Sequence, residues 1–200
     1  MSGKIRRIHL DFRKRMQLTK LANIVLFFSQ NCKHLGLTKL NKLLYYLDIF
    51  SLKETGRTAT GQDYMKYPQG PVPEVYNRLK ELLDKTESAG YHDIFEDFIE
   101  VNAREYYGKV LFQITPRGKF DPKYFSNFEL KLMEFVVEKY SKLSAKQLSV
   151  QTHKEKPWEL AEDFEPIDLK LFFKDSISKE EYAILEKEER LSLAIALNYA

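Results

Sequence analysis

The residues of this chain with chemistry beyond packing are few. Its histidines are His9, His34, His92 and His153, and no two stand four apart, the spacing of a helical zinc pair. Cys32 and His34 are close in sequence, but a metal needs three or four ligands and nothing supplies the others. Cys32 carries no nucleophile signature, no Gly-x-Ser-x-Gly elbow occurs, and the glycines fall singly rather than as a phosphate cradle. No catalytic residue, metal or cofactor is therefore assigned. A site assembled only in space escapes such a search, so an unrecognised enzyme stays open as an alternative.

Two stretches remain. "GQDYMKYPQGPVPEVYNRLKELL", Gly61 to Leu83, passes from glycines, prolines and tyrosines into an amphipathic helix. Each proline fixes its own φ and biases the preceding residue away from helix, so Gly70-Pro71-Val72-Pro73 predicts a stiff extended approach with Pro73 in the first helical turn. One reading is a rigid elbow that sets the helix angle. The other makes Tyr64, Tyr67 and Tyr76 anchors for a partner, since tyrosine offers a stiff, amphipathic contact. "HKEKPWEL" is equally two-sided. Trp158 after Pro157 predicts a buried plug with its indole N–H bonded to backbone or carboxylate. His153 is a structural donor, or a general base lacking a nameable partner.

The elements that position these residues are mostly helical. Leu18 to Cys32 is apolar nearly all round and predicts a central helix. After Gly36, with Thr38 as N-cap, Leu37, Leu40, Leu43, Leu44, Leu47 and Phe50 mark a second helix ending near Gly56. "DIFEDFIEV" and "KVLFQIT" predict strands of an antiparallel ribbon, with "NAREYYGK" as the connection. Ser126 with Glu129, Ser144 with Gln147, and Ser178 with Glu181 are capping boxes that open three further helices, the last from Lys179 to about Ala200. Phe27, Phe28, Leu43, Leu44, Leu47, Leu79, Leu82, Phe112, Phe135 and Val136 are the expected core. The expected fold is α+β, a predominantly helical single domain with a small antiparallel β-ribbon.

With 44% hydrophobic and 30% charged residues the chain has ordinary globular composition, and it contains no long apolar span. A single cysteine excludes an internal disulfide and fits a reducing cytoplasm. The net charge of +3 is unevenly placed: Lys4, Arg6, Arg7, Arg13, Lys14, Arg15 and Lys20 face only Asp11. The segment 1–16 is expected to be a poorly ordered or peripheral basic arm. It is either a solvated tail or, in an alternative function, the DNA contact of a nucleic-acid-binding regulator. Residues 17–160 then form the main domain and 161–200 a helical extension packed on it.

Lys42 to Tyr45 with Asp48, Gly56-Arg57, Thr60-Gly61, Tyr64, and Gly70-Pro71-Val72-Pro73 with Tyr76 recur in order ahead of Leu148-Ser149 and Thr152 to Trp158. This series, over about 18–160, resembles the Panacea domain family of SocA-like antitoxins. The resemblance implies a non-enzymatic antitoxin of bacteria or phages that neutralises a cognate protein toxin by direct binding. It also implies a second mode, delivery of the toxin to a AAA+ protease as an adaptor. On this footing the expected toxin-binding residues are Tyr45, Asp48, Tyr64, Tyr67, Tyr76 and His153. Gly61, Gly70, Pro71, Pro73, Pro157 and Trp158 are the structural motif.

Overall fold

A computed structural model describes residues 2–83, 93–106 and 108–173, together with Lys187. Its first helix, α1 (Ser2–Asn31), begins well before the expected Leu18, so the basic segment continues the helix rather than preceding it. Residues 12–17 are exposed, and burial begins at Leu21, where the all-round apolar run starts.

Helix α2 (Leu37–Thr55) is the axis of the fold, with 14 of its 19 residues buried. It ends on Gly56 at φ 71°, the left-handed cap its sequence predicts. At its start Gly36, not Thr38, is the N-cap, and no side chain caps there. A Cβ on Gly36 would stand 2.7 Å from the Phe112 carbonyl oxygen, so this glycine permits the α1–α2 connection to approach a strand.

The proline stretch folds as a hairpin of β1 (Tyr64–Tyr67) and β2 (Gly70–Pro73), paired Tyr64 to Pro73 and Tyr67 to Gly70. Pro73 thus closes a strand rather than opening a helix. Helix α3 (Val75–Glu81) follows, and the Val75 amide donates to Gln62 Oε1 at 2.8 Å. On β1's other edge runs the segment 164–167: Lys66 N donates to Glu165 O, Phe164 N to Lys66 O and Ile167 N to Tyr64 O.

Ile94–Asp97 forms a 3₁₀ turn where a strand was expected, because Asp93 caps it by accepting from the Phe95 amide. The ribbon comprises β3 (Ile99–Tyr106) and β4 (Lys109–Pro116), so most of "NAREYYGK" is strand and the pairing runs to Tyr106 opposite Lys109. Gly108 at φ 70° supplies the left-handed position. Helices α4 (Asn127–Tyr140) and α5 (Ala145–Thr152) open on complete capping boxes at Ser126 and Ser144. Helix α6 (Lys156–Leu160) and a 3₁₀ turn (Leu169–Phe173) end the described chain. The box at Ser178 and, Lys187 apart, the helix from Lys179 lie outside the described residues.

These helices and two small antiparallel sheets make one α+β domain. Phe28, Leu43, Leu44, Leu47, Leu79 and Val136 join the core, while Phe27, Leu82 and Phe112 are half-buried at its margin. Phe135 is a correction: it is 43% exposed, packed edge-on against Phe50 at 5.2 Å.

Candidate functional site

One face of α2, the β1–β2 hairpin and the segment 152–158 meet around a buried polar cluster. Helical spacing puts Lys42, Tyr45 and Tyr46 on neighbouring positions of α2, and all are buried. Lys42 Nζ donates to the Pro71 carbonyl at 2.8 Å. Burial pulls its pKa down to about 7, because an ammonium loses its hydration there and gains no carboxylate. Gly70 sits above it at φ 99°, where a Cβ would come within 2.7 Å of Lys42 Cε and 2.8 Å of Thr152 Oγ1. The elbow is therefore a close-packed junction, and Gly70 is there for both conformation and room.

Asp48 lies on the same helix and is fully buried. It accepts from the Thr60 amide at 2.8 Å, the Tyr64 hydroxyl at 2.7 Å, and the Thr60 hydroxyl. Desolvation raises its carboxyl to about 6, against the opposing pull of these hydrogen bonds. Asp48 thus fixes the loop after α2 and the first residue of β1 onto the helix.

The segment 153–158 closes the cluster. Pro157 is buried in the first turn of α6, where a missing N–H costs nothing. His153 stacks on Trp158 with ring centroids 3.9 Å apart, and Lys66 Nζ lies 4.4 Å from the Trp158 centroid. Burial, then the Lys42 and Lys66 charges, lower the His153 pKa. Burial lifts Glu155 to about 7, while Tyr46 and Tyr45 draw it back. Both phenols are in turn pushed up, first by burial and then by Glu155. His153 Nε2 and Trp158 Nε1 are buried and have no hydrogen-bond partner among the described residues. The indole N–H bond expected of Trp158 is thus not made; its ring is held by stacking and by the lysine instead.

This geometry sorts the expected contact residues. Tyr45, Asp48 and Tyr64 are buried, so they hold the scaffold and do not offer a surface. Tyr45 stands edge-on to both Tyr46 and Tyr64 at 5.6 Å, one rung of a core aromatic ladder. Tyr76 and His153 are half-buried, and Tyr67 at the hairpin tip is exposed. Gly61, at φ 66°, has nothing within 4 Å of a built Cβ, so it serves backbone conformation alone. Sequence reasoning left Lys42, Lys66 and Glu155 without roles. A charged residue inside the apolar run Leu40–Leu47 was the available signal for Lys42.

A family model of SocA-like antitoxins, the Panacea domain, matches residues 40–159, more than half of the chain. The chain belongs to this family. Searches of curated proteins and of solved structures find no match. The Panacea domain's matched span includes the whole cluster from Lys42 to Trp158, with the hairpin at its centre. Among the described residues, no three His, Cys, Asp or Glu side chains group to hold a metal ion. No described helix is long and apolar enough to cross a membrane.

Proposed function

We propose that this Panacea domain neutralises a cognate protein toxin by binding it directly, on a surface held rigid by the buried cluster. The family supplies the antitoxin role. The observation that carries the binding mode is the hairpin, locked from beneath through Lys42–Pro71 and Asp48–Tyr64 while Tyr67 at its tip faces solvent. A contact residue on a pre-set backbone loses little freedom on binding. Lys42 spends its ammonium on a backbone carbonyl and Asp48 spends both oxygens on structural donors, a scaffold's use of buried charge.

The test is to express the protein of the adjacent reading frame alone and together with this chain. Growth arrest by the first, rescue by the pair, and a stable complex with undiminished toxin are the expected results. Rescue accompanied by loss of the toxin, and abolished in a host lacking its AAA+ proteases, would replace blocking with adaptor delivery.

A further inference from the structure

Tyr67 and Phe164 form an edge-to-face pair on the surface, with centroids 5.5 Å apart and planes at 89°. They are 39% and 58% exposed. Phe164 takes φ 65°, a left-handed conformation that a bulky residue seldom adopts. The strand-like pairing of 164–167 with β1 holds it there, through Phe164 N to Lys66 O at 2.9 Å and Lys66 N to Glu165 O at 2.9 Å. A large apolar ring is therefore fixed outward by a clamped backbone. Leu160, in the same stretch of chain, is also exposed.

The stretch of chain that carries Phe164 is acidic. From Glu159 to Asp168 the sequence holds Glu159, Glu162, Asp163, Glu165 and Asp168, with no lysine or arginine. Glu159, Glu162, Asp163 and Glu165 are exposed. Lys66 answers this charge only in part: its ammonium turns inward to the Ala161 carbonyl at 2.9 Å and stands 3.4 Å from Asp163. An apolar centre with a charged rim is the anatomy of a protein interface, and the sign of the rim selects the partner.

We propose that Tyr67, Phe164 and Leu160, rimmed by these carboxylates, dock a basic amphipathic segment of the partner protein. An apolar side chain of that segment meets the aromatic pair, and its lysines or arginines meet Glu162 and Glu165. The proposal rests on the binding reading above and adds the partner's chemistry. It also places most of the surface beyond residue 159, where the family match ends, so that this chain's own continuation shapes what it binds.

Two arms test it on the full chain. In the first, the probes are a synthetic Lys/Leu amphipathic peptide and its counterpart with Glu for Lys. The basic peptide is expected to bind saturably, more weakly as salt rises, while the acidic one does not bind. Phe164→Gly and the pair Glu162→Lys/Glu165→Lys should each weaken binding about tenfold or more. Glycine suits the left-handed position, so Phe164→Gly should keep or raise Tm, which separates loss of docking from loss of fold. Absence of basic-peptide binding, or equal binding by all three proteins, overturns the proposal. So does self-association of the wild type that Phe164→Gly abolishes, since the occupant would then be a second copy. In the second arm the same variants enter the growth-rescue assay. Failure of the wild type to rescue removes the antitoxin-by-binding reading and leaves the peptide result to judge the surface. Full rescue by Phe164→Gly removes the surface and leaves that reading standing.

Discussion

Lys42 Nζ donates to the Pro71 carbonyl across 2.8 Å, joining the central helix to the outer strand of the hairpin. The bond suits this strand, because Pro71 and Pro73 have no N–H to offer a neighbour and their stretch must be held through its carbonyls. With Gly70 pressed on Lys42 Cε and Thr152 Oγ1, three elements remote in sequence meet at one glycine.

Gly70→Ala should therefore destabilise the fold by about 2 kcal/mol or more, combining backbone strain with overpacking. Gly61→Ala has only the backbone penalty and should cost about 1 kcal/mol. Urea denaturation of the two variants gives the comparison. Equal losses would mean that the junction yields easily and that the hairpin is not locked from beneath.

The buried ionisable groups predict an unusual pH dependence. Glu155 is raised from 4.5 to about 7, so its contribution is fully present below pH 4.5 and lost as pH rises to about 7. Asp48, raised from 3.8 to about 6, acts in the same direction over its own window. Lys42 is lowered from 10.5 to about 7, so the unfolded chain binds the extra proton between these values, and stability rises with pH across them. Together the three place a trough near neutrality. Denaturation at pH 5, 7 and 9 should show it, with Glu155→Gln flattening the acid limb and Lys42→Met the alkaline one. A variant that shifts the whole curve without changing its slope would show that its group does not titrate in that window.

Much of this was legible in the sequence where the signal is local. The capping boxes at Ser126 and Ser144 and the glycine stop at Gly56 depend on residues within a turn of one another, and they fold as read. The hairpin was not legible, because β1 and β2 are four residues each and the segment that bridges to β1 comes a hundred residues later. For the same reason Tyr64 reads as a surface anchor in sequence and is buried in the fold: Asp48, sixteen residues back, supplies the acceptor that lets its hydroxyl go inside. The outward turn of Phe164 depends on β1 and leaves no local mark beyond an aromatic among carboxylates.

Leu44 and Phe135 share an apolar, helical setting in the sequence, and the structure separates them. Leu44 is fully enclosed at the centre of α2. Leu44→Ala should cost on the order of 2–5 kcal/mol, because neighbours from several elements cannot all close the cavity. Phe135 keeps 43% of its surface in water and contacts Phe50 edge-on, with Lys139 Nζ 5.4 Å from its centroid. Phe135→Ala gives up that pair and a partial burial, so about 1 kcal/mol is expected. Chemical denaturation decides the ordering. If Phe135→Ala proves the costlier, then α4 carries more of the core than α2, and the hairpin's foundation must be sought on the α4 side.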